Sequence, residues 1–342
     1  MSELLRVENL VKDFQVRRGL LSVRGVVHAV RDVSFSMKEG EILSIIGETG
    51  SGKTTLAKII VGLYPPTTGK IYFEGKEFTA LRGKEYVNSR RKMQMIFQQA
   101  YASMNPRKSI YEIVSQPLRV ASDLSEDAIR EKVSDLLRAV DLNPPEEFFD
   151  RYPHLISGGQ IQRIALTRAL SVSPKFLVAD EPVSELDMSI RSKVLSLLLK
   201  LRKLFSLTML VITHDLDVAK IISDRIGVMY LGRIVEIGHA QQIVSNAQHP
   251  YTRALLASSP VMDPSVARRP RSGPKLEGEI PSPMFLPSGC ELASRCPFKK
   301  QVCLEKRQEL IQVEQGHFVS CHVVAAFGTL ARFKRGSAEL VD

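Results

Sequence analysis

The sequence predicts an α/β fold, and three features of it carry that expectation. Three strand-length apolar runs, "ILSII" (42–46), "FLVA" within "PKFLVADEP", and "TMLVIT", are continuous and not alternating. That pattern belongs to strands covered on both faces. Each run stops abruptly at polar or glycine residues. The first passes through a glycine-rich turn into "LAKIIVGL", whose apolar residues have helical spacing. Strand, glycine loop and helix in succession make a unit whose loop and helix start face a ligand.

Composition narrows the classes. At 342 residues, 44% hydrophobic and 25% charged, the chain has room for one large domain and a smaller one. No apolar run approaches the roughly 18 residues of a membrane-spanning helix. "MSELLRVENL" has no basic start followed by an apolar core, so no signal peptide is expected and the compartment reads as cytoplasmic. The net charge of +10 raises the question of nucleic acid. The basic residues are spread through the chain, with a local run in "ARRPRSGPK" (267–275), and no aromatic stacking pattern accompanies them. The expectation is a basic, solvated surface with no nucleic-acid partner.

The glycine loop is Gly47-Glu48-Thr49-Gly50-Ser51-Gly52-Lys53-Thr54-Thr55, a Walker A pattern. Its glycines let backbone N–H groups turn inward around phosphates, and the new helix offers its positive end. Lys53 would bridge the β- and γ-phosphates of ATP, and Thr54 would hold Mg²⁺. Gln98 follows the apolar run in "MQMIFQQ", within reach of Mg²⁺ and the attacking water. Residues about 98–169 are mostly helical, with apolar spacing in "AIREKVSDLLRAVDL". They lead to Ser157-Gly158-Gly159-Gln160, a polar, glycine-rich helix start and so a second anion site. Since the chain already has its own phosphate loop, this second site makes sense facing the nucleotide of another subunit. "PKFLVADEP" ends in Asp180, placed to hold Mg²⁺, and Glu181, placed to polarise water. "TMLVITHD" ends in His214, aimed at the γ-phosphate.

With these elements in order, the chain resembles the ATP-binding-cassette (ABC) ATPases over about residues 4–239. The order runs from an aromatic near the start (Phe14) through Walker A (47–55), the Q-loop (Gln98), the signature (156–160), Walker B (176–181) and the D-loop (184–187) to the switch histidine (His214). Two positions depart from the family. Ile156 replaces the usual leucine, and Glu185 replaces the usual D-loop alanine, which puts a charge beside the dimer interface. The resemblance implies a P-loop NTPase ABC cassette: a mixed sheet core with a helical insert subdomain, plus a small C-terminal extension. It also implies that Phe14 stacks on adenine.

Four further stretches refine the family: "DFQVRRGLLSVRGVVHAVRDVSF", read as an insertion between the first two strands; the surroundings of the Q-loop; "HPYTRALLASSP"; and "LEGEIPSPMFLPSGCELASRCPF". Together they resemble the F-type ATPase subunits of the dipeptide and oligopeptide importers, over about residues 4–325. Gln99-Ala100 stands where that family usually has Asp-Pro. The organisation implied is an ATPase domain over 1–239, with the helical subdomain at about 98–169, and an extension over 240–342. The extension comprises a helical stretch (240–258), a Pro/Arg-rich linker (260–288), a cysteine segment and a tail from about 328. The function implied is ATP hydrolysis driving uptake of di- or oligopeptides, or oligosaccharides. The partners implied are a sister ABC ATPase, two membrane permease subunits and a substrate-binding protein, at the cytoplasmic face of the membrane. A nucleic-acid-handling ABC ATPase is the alternative from another class.

All four cysteines lie near the end, as Cys290-x₅-Cys296-x₆-Cys303-x₁₇-Cys321. In a reducing compartment a metal site is a better expectation than disulfides. Zinc sites commonly use tighter cysteine pairs, whereas looser loops suit a larger object. The family resemblance implies a [4Fe–4S] cluster here, and Zn²⁺ is the alternative. Such a site would supply stability to residues 280–325, whose apolar content is low.

Overall fold

A computed structural model of the chain describes residues 2–18, 22–258 and 273–327. Much of the expected linker, most of the basic run at 267–275 and the tail from 328 lie outside the described residues.

The chain opens with β1 (Glu3–Arg18) and β2 (Ser22–Lys38), a long antiparallel hairpin. The stretch read as an insertion between the first two strands contributes residues to both of them. The two strands run on through it, pairing Phe14 with Val27 and Val16 with Gly25. β3 (Ile42–Ile46) leads through the glycine loop to α1 (Lys53–Ile60). Next come β4 (Thr68–Phe73), β5 (Lys76–Glu77), α2 (Gly83–Arg91) and β6 (Met93–Ile96). Four helices follow: α3 (Ile110–Ala121), α4 (Glu126–Ala139), α5 (Glu146–Phe149) and α6 (Gly158–Leu170). The core resumes with β7 (Phe176–Asp180), α7 (Met188–Phe205), β8 (Thr208–Thr213) and α8 (Leu216–Ile222), then β9 (Arg225–Tyr230) and β10 (Arg233–His239). Beyond it lie α9 (Ala240–Asn246), α10 (Pro250–Ser258), α11 (Gln301–Glu305), β11 (Ile311–Glu314), β12 (His317–Val319) and α12 (His322–Phe327).

Two sheets form. One is antiparallel, in the order β2-β1-β4-β5. The other has the order β11-β12-β10-β9-β3-β8-β7-β6, with β9, β3, β8, β7 and β6 parallel. β3, β7 and β8 are buried along their whole length, which is why their sequences are unbroken apolar runs. One apolar core lies between the two sheets and α1. A second joins the opposite face to α3, α4, α6 and α7. In each case the polar residues after a parallel strand emerge at its C-terminal end, where α/β sheets place their ligands.

The C-terminal extension is built into the cassette. β12 pairs antiparallel with β10, so the large sheet continues into residues 311–319. Tyr251 and Leu292 share one buried cluster with Tyr230 and Val235, and Cys290 and Cys296 pack against it. Arg31 on β2 pairs with Glu291 at 3.0 Å, both buried. Glu236 on β10 is fully buried and accepts from the N–H groups of Gln248 (2.7 Å) and His249 (3.1 Å), with His317 Nε2 at 2.8 Å. Burial pushes the His249 imidazole down to about 4, so its Nδ1 is free to accept the Tyr251 N–H at 3.2 Å. Residues 280–325 thus draw stability from docking on the sheet, where the sequence suggested that metal ligation would have to supply it.

Candidate active site

The glycine loop arches from β3 to α1. Gly52 caps α1 with φ +101°, and a Cβ there would come within 2.1 Å of the Ala29 carbonyl oxygen, so only glycine fits. Lys53 is buried over the loop. Its Nζ donates to the carbonyls of Gly47 (2.7 Å) and Glu48 (3.0 Å), with Ser51 Oγ at 3.4 Å. Burial lowers the Lys53 ammonium below its ordinary range, while the carboxylates of Glu181, Asp180 and Glu48 act the other way. Thr49 and Gly50 lie at the exposed crest of the loop, and Thr55 stands on the first turn of α1.

Thr54 and Asp180 meet across the sheet, the Thr54 hydroxyl donating to Asp180 Oδ1 at 3.1 Å. Burial pushes the Asp180 carboxyl above its usual range. A hydroxyl beside a buried carboxylate is a hard oxygen donor set, and these residues fit Mg²⁺. Bound cation would stabilise the ionised carboxylate that burial disfavours.

Glu181 stands one residue past β7 and has φ +48°, a left-handed conformation costly for a side chain of this kind. Its N–H donates to the Ile212 carbonyl on β8 at 2.8 Å, which holds it there. Its two carboxylate oxygens are engaged separately. Oε1 lies 2.9 Å from His214 Nδ1, and Oε2 accepts from Gln98 Nε2 at 3.3 Å. Three residues from three strand ends, 83 and 33 positions apart in sequence, are therefore joined through one carboxylate. Gln98 meets Glu181 here and not the Thr54–Asp180 pair where Mg²⁺ was expected.

Ser157 caps α6 in a reciprocal box. Its hydroxyl accepts the Gln160 N–H at 3.4 Å, and Gln160 Oε1 accepts the Ser157 N–H at 3.0 Å. Ser157 and Gly158 are exposed. A cleft of about 320 Å³ reaches from Gln98 and Glu181 to Gly158 and Glu185. Phe14 lies on β1, edge-on to Tyr64 at 5.7 Å, with Lys12 Nζ 5.1 Å from its ring centre.

Residues 30–184 match the ABC transporter family, and residues 235–303 match the family described as the oligopeptide/dipeptide transporter C-terminal region. The putative oligopeptide transport ATP-binding protein YkfD of Bacillus subtilis is 44% identical over 321 residues, covering 94% of this chain and 95% of that protein. The chain belongs to the ABC ATPases of the oligopeptide and dipeptide transporter family. The dipeptide transport ATP-binding protein DppF of Haemophilus influenzae is 42% identical over 318 residues, or 93% of this chain and 96% of that protein. Among solved structures, the ATP-binding cassette MJ0796, in a dimeric post-hydrolysis state bound to ADP and Pi, matches with TM-score 0.62 at 30% identity. The match covers 69% of this chain and 99% of that one.

This ABC ATPase hydrolyses ATP, and among the described residues no helix is long and apolar enough to cross a membrane. Its four cysteines are free and share one neighbourhood: the charges of Cys303 and Cys321 bear on both Cys290 and Cys296. Burial pushes the Cys290 and Cys296 thiols up to about 12 and raises Cys321 as well. Among the described residues, however, no three of the His, Cys, Asp or Glu side chains stand close enough together to hold a metal ion, so the four thiols expected as ligands are not drawn into a ligand set. The residues that sequence reasoning missed are Tyr251 and Arg295 of the extension. The Glu48 N–H donates to the Tyr251 hydroxyl at 2.9 Å, and Arg295 Nη1 pairs with the Glu48 carboxylate at 3.3 Å. "HPYT" was noted as a family feature, but nothing in it announces a contact about 200 residues upstream.

Proposed function

We propose that the chain is one of two non-identical ATPase subunits driving uptake of di- or oligopeptides through two membrane permease subunits, fed by a substrate-binding protein. The observation that carries this reading is the stretch 235–303, which matches the transporter C-terminal region and sits on the cassette's own sheet. ATP is bound by residues 47–55 of this chain, with Phe14 against adenine, and residues 157–160 of this chain cover the nucleotide held by the sister subunit. The exposed, pre-capped start of α6 supports that second role, because helix N-terminal N–H groups left open to solvent bind anions.

Hydrolysis falls to Glu181, which takes the proton from the attacking water. His214 and Gln98 orient it and sense the γ-phosphate. Thr54 and Asp180 hold Mg²⁺, which supplies charge neutralisation at the phosphates. The cleft between Gln98 and Gly158 opens when the sister subunit leaves, and that movement reaches the permeases through residues around "AYASMNP". Tyr101 is exposed there, an aromatic side chain open to a membrane partner.

Affinity purification of the tagged chain from membranes tests the assembly. Expected is a complex holding one copy of this ATPase, one of a different ATPase and two permeases, whose ATP turnover rises several-fold with peptide-loaded binding protein. Two copies of this chain would rule out the heterodimer. Stimulation by oligosaccharide alone would reassign the substrate, and recovery with nucleic acid in place of permeases would favour the alternative class.

A [4Fe–4S] cluster held by Cys290, Cys296, Cys303 and Cys321 would require these four free thiols, two buried and two half-buried, to be drawn together into a ligand set that they do not form here. Burial raises the Cys290, Cys296 and Cys321 thiols in the absence of a metal, and ligation would draw the cysteines to thiolates. Protein purified without oxygen is expected to be brown and to carry about four irons per chain, which Cys296→Ser loses. One zinc per chain in colourless protein would replace the cluster by a tetrahedral site, and neither metal would leave four packed thiols.

A further inference from the structure

We propose that Arg295 and Tyr251, both contributed by the C-terminal extension, are positioning residues of the nucleotide site. They hold Glu48 of the phosphate loop, so that ATP binding and docking of the cysteine segment favour one another. The proposal rests on the assignment of residues 47–55 to ATP.

Glu48 is held at three points. Its N–H donates to the Tyr251 hydroxyl at 2.9 Å, its carboxylate lies 3.3 Å from Arg295 Nη1, and its carbonyl accepts Lys53 Nζ at 3.0 Å. Each has a distinct consequence. The N–H belongs to the peptide whose carbonyl is that of Gly47, and that carbonyl also accepts Lys53 Nζ, at 2.7 Å. Tyr251 therefore fixes the plane of the peptide that parks the loop lysine. The carboxylate is an anion carried by a loop that must receive a polyphosphate. Left free, it would repel the ligand; paired with Arg295, it is neutralised and turned aside.

The clamp itself is rigid. Tyr251 is fully buried, and its ring packs on Tyr230 with centroids 4.6 Å apart. Arg295 Nη1 also reaches the Tyr230 hydroxyl at 3.4 Å, and its guanidinium is nearly buried. Arg295 immediately precedes Cys296, and its N–H donates to the Leu292 carbonyl at 2.9 Å, so its place depends on the fold of the cysteine segment. A segment that holds the loop in its binding-ready form must itself be held more firmly when the loop is filled, because coupling between two sites is reciprocal.

Two readouts on the full chain test this. The first is ATP affinity, from competition against a fluorescent ATP analogue, in a cycle of Arg295→Ala, Glu48→Gln and the double variant. Arg295→Ala is expected to weaken ATP about tenfold, within the usual range of coupling between sites. Glu48→Gln alone should change it by less than about twofold, and the double variant should match Glu48→Gln, because the anion that needed a partner is gone. Tyr251→Phe, which keeps the ring packing and loses only the acceptor, should weaken ATP about fivefold with kcat held. The second readout is backbone hydrogen exchange over residues 290–303. It should slow on addition of ATP in the wild type and not in Arg295→Ala. An Arg295→Ala loss that Glu48→Gln does not rescue would overturn the proposal, as would affinities unchanged by both single clamp variants. Were Arg295→Ala unable to fold, unchanged affinity and exchange in Tyr251→Phe would overturn it alone. Wild-type protein that binds no ATP would instead strike the assignment of the loop, a result visible in the first titration.

Discussion

Glu181→Gln is expected to bind ATP with near wild-type affinity and to hydrolyse it roughly 10²-fold or more slowly, the scale of losing a general base. Binding should survive because the groups proposed to hold the phosphates and Mg²⁺ lie elsewhere: the loop N–H groups, Lys53, and the Thr54–Asp180 pair. Hydrolysis should not, because an amide cannot take a proton from water. The substitution is close to isosteric, and the left-handed backbone at φ +48° is held by the Ile212 carbonyl and not by the side chain, so the site should keep its shape. His214 and Gln98, however, both converge on this carboxylate at 2.9 and 3.3 Å. In the variant they would face an amide, which offers one acceptor oxygen where there were two. Closed, ATP-loaded dimers should therefore accumulate. Phosphate release from the assembled transporter, measured beside nucleotide affinity, checks the split. Turnover within about threefold of wild type would remove Glu181 from the role of base.

Most of the candidate site was legible as a set of residues because its pattern is written in short consecutive stretches. A glycine loop between a buried strand and a helix has few other uses, and Asp180, Glu181 and His214 each follow an unbroken apolar strand. What the sequence could not show is how those strand ends meet. Nothing local predicts that Glu181 turns left-handed, or that its carboxylate joins Gln98 to His214. The extent of the opening strands was hidden for a local reason: the charges and glycines of "RRGLLSVRG" interrupt the apolar pattern, so the surrounding stretch reads as an insertion between two strands, yet cross-strand pairing carries β1 and β2 into it. The extension was the least legible. β11 and β12 have four and three residues, too short for a periodic pattern to stand out, although Gln315-Gly316 between them is a hairpin signal that could have been followed. Their stability comes from pairing with a strand about 80 residues earlier in the chain, and long-range docking of that kind leaves no mark in a local window.

That docking should fail when Glu236 is removed. Glu236→Ala is expected to destabilise the protein by about 3–5 kcal/mol, the cost of breaking one side of a buried polar pair. The carboxylate is fully buried and serves three donors at once: the N–H groups of Gln248 and His249 and the ring of His317. Alanine leaves all three without an acceptor in a site closed to water, and His317 already has one buried ring nitrogen unpaired. Glu236→Gln should cost less, because an amide oxygen in the place of Oε1 still accepts from Gln248 and His317, but its NH₂ group then faces the His249 N–H, which it cannot satisfy. The position also sets where the damage appears. Glu236 lies in the β10–β12 register opposite Val319, and the backbone it holds leads straight into Tyr251. The extension should therefore loosen before the parallel core, seen as early proteolytic cleavage after residue 300 and as a lower denaturant midpoint. An undocked extension also withdraws Arg295 and Tyr251 from Glu48, so ATP affinity in Glu236→Ala should fall to about the level of Arg295→Ala while the loop itself stays folded. Wild-type stability in Glu236→Ala would show that the extension is held by its apolar contacts alone, through Val319, Val324 and Leu292.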